Sequence, residues 1–259
     1  MSIYARKYGE WAELADWFES AKPQHKHVLF AIQFPRVYHV WMGMKAIKTF
    51  GELLTNFFGP LFEATAAPEK HVALAKLLSQ IRCFDTVDNE AKEDVYFLEG
   101  LPPASEYDSQ DNPPYSYYTF YFWYNMRALN ALRQAKGMNT FKLRPHAGEA
   151  GPSHHLATTF LFANGISHGI NLEREPVLQY LYYLANVPIS VSPISNACLF
   201  LPYAMCASNE HRGAHACVSL ASRNRMLSLR PRMAPHVPSP CGSRSTGTPS
   251  RRSSSVGST

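Results

Sequence analysis

The sequence predicts an α/β fold, an incomplete (β/α)8 barrel of the TIM type followed by a disordered C-terminal tail. Three observations predict it. Short apolar runs alternate with longer stretches of helical periodicity from Met1 to about Leu201. The helical stretches are long enough to serve as crossovers between parallel strands. About five such units follow one another, more than half of an eight-unit barrel and fewer than all of it.

The elements follow in order. Residues 2–6 read as a short strand. Trp11, Leu14, Trp17 and Phe18 recur at helical spacing within 10–18. Residues 28–33 form a strand that ends at Pro35, whose nitrogen has no hydrogen for a ladder. Helices are predicted over 50–58 and 69–78, then a strand over 81–87 and a long polar loop over 90–113. Pro114 opens a long helix, since a missing N–H costs nothing in a first turn, and Gly137 closes it. The aromatic run from Tyr115 to Tyr124 suits base stacking. Met126, Leu129 and Leu132 continue its stripe, however, so it is read as a packing helix. Strands over 141–144, 166–170 and 189–192 alternate with helices over 153–162 and 177–185.

Composition narrows the function classes. The net charge is +5, but after Leu201 there is no Asp, no Lys and a single Glu among many Arg. The positive charge belongs to the tail, so no nucleic-acid partner is expected. The five cysteines contain no Cys-x-x-Cys pair. That argues against a disulfide framework or a cysteine metal site and favours a reducing compartment, the cytosol. The N-terminus shows no signal pattern, and no apolar run reaches the roughly 18 residues of a membrane helix, so no membrane partner is expected. Residues 238–259 carry almost no large apolar side chains and are expected to be disordered. Residues 1–204 are therefore assigned to the partial barrel and 205–259 to an Arg-, Ser- and Pro-rich tail.

Four segments could carry chemistry. In Arg144-Pro145-His146-Ala147-Gly148-Glu149-Ala150-Gly151, His146 and Glu149 follow a predicted strand at the catalytic end of a barrel, among small residues that let a ligand approach the backbone. A βα turn with both side chains in water is the alternative. In Ile166-Ser167-His168-Gly169-Ile170, His168 interrupts an apolar strand as either a proton-handling imidazole or a satisfied core histidine. Asp85, Asp88 and Glu90 cluster at the end of the 81–87 strand, where carboxylates are costly unless a ligand or cation meets them, a solvated loop being the alternative. The turn Ser192-Pro193-Ile194-Ser195-Asn196 says little by itself.

Seven blocks in order resemble the AMP deaminase family: SIYAR, IQFPR, FDTVDNE, NPPYSYY, RPHAGEAG, ISHGI and VLQYLYYLANVPISVSPISNACLF. The resemblance implies a zinc-dependent hydrolytic deaminase on a (β/α)8 barrel, converting AMP to IMP and ammonia in a homotetramer. His146 matches the family's third zinc-binding histidine. Glu149 matches the carboxyl group that binds the purine and protonates its ring nitrogen. His168 matches the proton acceptor that deprotonates the attacking water. Asp88 lies in the segment that resembles the purine-cradling strand end.

The pattern breaks at three ligands. The family's first two zinc ligands form a His-x-His pair, expected on a strand upstream of Met1. His25 and His27 have that spacing but precede a strand, which puts them on the wrong face. The family's fourth ligand is an Asp after a Ser-Leu-Ser-Thr stretch. The match here stops at Ser219-Leu220, and Arg223 and Asn224 are unsuited to zinc. His211 and His215 share a helical spacing but fall in unrelated sequence. Impaired activity is therefore expected. The alternatives are a catalytically dead fragment that associates with full-length deaminase subunits, and a gene-model artefact.

Overall fold

The computed structural model describes residues 1–25, 27–92, 94 and 100–192. The expected disordered tail, the His211/His215 pair, the Ser219-Leu220 match and most of the turn after Ser192 lie outside the described residues. The described chain is a mixed α/β fold with parallel strands throughout. Its elements run α1 (Glu10–Ala21), β1 (Phe30–Pro35), α2 (Tyr38–Gly43), α3 (Phe50–Ala66), α4 (Val72–Gln80), β2 (Ile81–Val87) and α5 (Tyr115–Ala135). They continue with β3 (Lys142–Leu143), β4 (His146–Ala147), α6 (His154–Phe162), β5 (Ile166–His168), a 3₁₀ turn (Ile170–Arg174), α7 (Pro176–Leu184) and β6 (Ile189–Ser190).

The strands form two sheets, β1-β2-β3 and β4-β5-β6. The chain passes from one to the other through Arg144 and Pro145. The N–H of Arg144 donates to the carbonyl of Phe84 at 2.8 Å, and the N–H of Ser167 donates to the carbonyl of Pro145 at 2.9 Å. The strand predicted over 141–144 is β3, and a second short strand, β4, follows it beyond Pro145. Pro145 has no N–H for a ladder, so the pairing breaks there. The strand predicted over 2–6 reduces to one parallel bridge, Ser2 with Gln33.

α3 runs past the predicted stop at Phe58. Thr49 caps it by accepting from the N–H of Glu52 at 3.1 Å, while Glu52 accepts from the N–H of Lys48 at 2.8 Å, a close relative of the capping box. Gly59 and Pro60 would ordinarily end a helix. Here the turns beyond them bury Leu61, Ala64 and Thr65, and that packing outweighs the lost backbone bond. Gly59 also gives room to the Tyr8 ring, which lies 2.6 Å from where a Cβ would stand.

The main core lies between the β1-β2-β3 sheet and α1, α3, α4 and α5. Its centre is aromatic. Phe57 meets Trp11, Phe34, Phe84 and Phe122 with ring centroids 4.4 to 5.4 Å apart. The indole N–H of Trp11 donates to the carbonyl of Phe57 at 2.8 Å, so the one polar atom of that ring is satisfied. α5 buries Tyr118, Phe122, Met126 and Leu129 along one stripe, which makes it a packing helix. A second, smaller core of Ala147, Leu156, Ile166, Leu172 and Tyr182 backs the β4-β5-β6 sheet. Among the described residues, no helix is long and apolar enough to cross a membrane.

Phe57→Ala is expected to cost about 3–5 kcal/mol of unfolding free energy. Tyr124→Ala, on the outer face of the same layer and 58% exposed, is expected to stay within about 0.5 kcal/mol. Urea melts of the two variants check the pair.

Candidate active site

The parallel ladder sets His146, the first residue of β4, beside His168, the last residue of β5. Its register sets His146 opposite Ser167 and Ala147 opposite His168. The two imidazole rings lie 4.7 Å apart, centroid to centroid, at an interplanar angle of 55°. Glu149 follows β4 in a tight loop, and its Oε1 stands 3.4 Å from Nδ1 of His168. His168 is buried and has φ +75°, a backbone uncommon for a residue with a side chain. The N–H of Gly169 holds it there by donating to the carbonyl of Ala147 at 2.9 Å. His146, Glu149 and His168 therefore meet in one place.

Asp85, on the central strand β2, completes this group. Its Oδ1 lies 2.8 Å from Nδ1 of His146. A carboxylate can only accept, so Nδ1 carries the hydrogen and, in the neutral ring, Nε2 keeps its lone pair. That is the arrangement by which proteins orient a metal-binding histidine. Burial by itself would lower the His146 pKa, but the hydrogen bond and charge of Asp85, with Glu90 and Glu149 behind it, raise it overall.

Asp88 is engaged elsewhere. It pairs with the Arg36 guanidinium, whose other nitrogen reaches Asp94 at 3.0 Å. Arg36 also donates to the carbonyl of Pro113 at 2.6 Å. Asp94 is 3.4 Å from Nε2 of His155 and accepts from the N–H of Tyr115 at 2.9 Å. Burial tends to raise the Asp94 pKa, but His155, Arg36 and the Tyr115 N–H hold it below the usual carboxylate range. His155 is raised: burial opposes its charge, and Asp94 and Glu90 more than compensate.

Asp94, His154 and His155 each offer one ligand atom, and these atoms lie within 4.8 Å of one another. They are a three-residue group that could hold a metal ion, and they share no member with the His146 cluster. The Arg36 guanidinium on Asp94 would oppose a dication there. His25 and His27 are exposed and precede β1, at the opposite end of the strands. A cavity of 540 Å³ lined by Leu101, Tyr117, Phe120, Leu161 and Phe162 lies over α5 and α6 and contains none of the predicted residues.

The small residues after His146 have a different use from the one expected. A Cβ on Gly148 would lie 2.7 Å from the Leu156 side chain, and one on Gly151 would lie 1.7 Å from the carbonyl oxygen of Glu90. Both glycines have positive φ, +73° and +68°. What approaches this backbone is the protein itself. Sequence reading also left Asp85, Glu90, His155 and Tyr115 without roles. The acidic cluster at the strand end was the available signal for the first two, Tyr115 stood only in the aromatic run and the NPPYSYY match, and nothing marked His155.

A profile of the AMP deaminase family matches residues 1–227. The chain belongs to that family. AMP deaminase 3 of Rattus norvegicus is 45% identical over 222 residues, covering 85% of this chain and 29% of that protein. The AMP deaminase of Arabidopsis thaliana is 45% identical over 203 residues, covering 78% of this chain and 24% of that protein. AMP deaminase 1 of Homo sapiens is 44% identical over 205 residues, 79% of this chain and 27% of its own length. The chain thus spans less than a third of the length of these deaminases. The family match runs past residue 204, where the composition changes.

Gly151→Ala would force both a strained φ and a backbone clash. It is expected to lower unfolding free energy by at least about 1–3 kcal/mol. A urea midpoint equal to that of the wild type would contradict this loop geometry.

Proposed function

We propose that the chain carries part of an active site that deaminates AMP to IMP and ammonia with zinc as its metal, on a barrel of the (β/α)8 type. The observation that supports this is the meeting of His146, Glu149 and His168, with Asp85 presenting Nε2 of His146 as a ligand. The donor set fits zinc at that atom, because neutral imidazole backed by a carboxylate is a usual zinc ligand. His146 would hold the metal through Nε2. When bound, zinc supplies a hydroxide at neutral pH by lowering the pKa of water from about 16 to about 7.

The side chains would divide the proton transfers. Oxygen adds to C6 of the purine as His168 accepts the proton of the attacking water. Glu149 donates a proton to the ring nitrogen beside C6, which makes that carbon electrophilic. The C6–N bond then breaks: the amine leaves as ammonia with the proton that His168 took, and the C6 hydroxyl gives its own proton to His168 as the carbonyl of IMP forms. The contact of Glu149 with His168 lets the pair rebalance their protons between turnovers. Asp88, at the end of β2, is proposed to border the purine while held by Arg36.

His146 is one ligand, and a catalytic zinc takes about three from the protein. Residues 1–259 alone are therefore proposed to bind zinc weakly and to turn over AMP poorly, acting in company with other deaminase subunits. A homotetrameric, cytosolic setting belongs to the same reading and rests on the family resemblance.

The test is a chimera in which residues 1–192 replace the matching segment of the Rattus norvegicus AMP deaminase 3. It is expected to release ammonia from AMP, and Glu149→Gln or His168→Asn is expected to slow it by about 10²–10⁴-fold. A folded chimera without activity, or one indifferent to both substitutions, would sink the reading. Asp85→Asn is expected to weaken zinc binding about 10–100-fold, read by metal titration.

A further inference from the structure

We propose that Glu90 is a positioning residue of this site: its buried carboxylate grips the backbone N–H groups of Gly148 and Glu149, and so aims the Glu149 side chain at His168. The inference rests on the proposed proton-handling roles of Glu149 and His168, and it adds a residue to which those roles give no part.

Glu90 lies three positions beyond the end of β2 and is 3% exposed. Its Oε2 accepts from the N–H of Gly148 at 2.6 Å, and both of its oxygens lie 3.3 Å from the N–H of Glu149. Consecutive N–H groups that converge on one point, with a positive-φ glycine between them, make an anion-binding nest. Here an internal carboxylate fills the nest, so this turn does not serve an external anion. Hydrogen bonds to an ionised acceptor are roughly twice as strong as neutral ones. His155 backs the carboxylate from the other side, its Nδ1 3.8 Å from Oε2, with both side chains 1% exposed.

The grip acts directly on the backbone that carries the Glu149 side chain. That side chain is mostly buried, 17% exposed, with its Oε1 facing His168. The loop that carries it is tied at its start by Tyr115, whose hydroxyl donates to the carbonyl of His146 at 3.0 Å. It is tied at its far side by Asn171, whose backbone N–H donates to Gly148 at 2.9 Å and whose side chain donates to Gly151 at 3.1 Å. Among the described residues, the ladder itself ends at the Ala147–His168 pair. Glu90 is thus the acceptor for the N–H of Glu149 itself. A shift of about 1 Å in such a group can cost about 10²-fold in rate.

The test uses the full chain, labelled for NMR. Glu90→Gln replaces one acceptor oxygen by an amide that points its own hydrogens at the Gly148 and Glu149 N–H groups. Glu90→Asp keeps the charge that His155 faces but draws the acceptor back by one methylene, which guards against a variant that fails to fold. In both, amide exchange at Gly148 and Glu149 is expected to speed up by tenfold or more, while Phe84 and Leu143 in the sheet keep their protection. The close approach of the Glu149 carboxyl carbon to the His168 ring nitrogen, read as a carbon–nitrogen dipolar contact, is expected to be lost. Unchanged exchange at the two amides overturns the proposal. So does faster exchange with the dipolar contact intact, since Glu90 would then only brace the loop. Neither measurement needs zinc or turnover, so failure of the deaminase reading and failure of this one are separable.

Discussion

The register of β4 against β5 is the constraint on which the site depends. His146 stands opposite Ser167, and Ala147 opposite His168. Side chains alternate between the two faces of a strand, so a regular backbone in this register would put His146 and His168 on opposite faces. Each of these strands is short, and few ladder bonds hold that register. The remainder of the constraint is apolar. Ala147, Leu156, Ile166 and Leu172 are buried together directly behind the two histidines. The left-handed backbone at His168 turns its ring into the space shared with His146 and Glu149.

Buried charge performs for the loops what apolar packing performs for the sheets. Arg36 leaves the end of β1 and is 6% exposed. It joins Asp88 and Asp94 from the segment after β2 to the carbonyl of Pro113 at the start of α5. The connections that follow β1 and β2 at their C-terminal ends are thereby fastened to one guanidinium. Burial tends to lower the Arg36 pKa, but the two carboxylates outweigh it and keep the group charged. Such a cluster contributes little net stability relative to an apolar core, yet losing one partner costs about 3–5 kcal/mol because the other charge is stranded. Its evident product is geometry: the same Asp94 meets His155, and His155 backs the Glu90 carboxylate that holds the turn of Glu149.

Much of the fold was legible from periodicity. The strand over 81–87 matches β2, and the helices over 10–18, 69–78, 153–162 and 177–185 lie within a few residues of α1, α4, α6 and α7. The departures have physical causes. α3 passes through Gly59 and Pro60 because Leu61 and Ala64 still face the core. The run over 166–170 is strand only to His168, since Gly169 enters the left-handed region and starts a 3₁₀ turn. α2 is a single buried turn and half, too short to show a period.

Local pattern and matched motifs, by themselves, determined the α/β class, the order of helices and parallel strands, and the membership in the AMP deaminase family. They also singled out His146, Glu149 and His168, because a histidine or carboxylate in a strand-end turn is a local feature. Only the tertiary structure decided which carboxylate serves which partner. Asp85, Asp88 and Glu90 look alike along the chain. One orients His146, one neutralises Arg36, and one holds the backbone of Gly148 and Glu149. The reason is that the energy of a carboxylate depends on what lies within a few ångströms of it in space. Those neighbours lie 52 to 61 residues away along the chain.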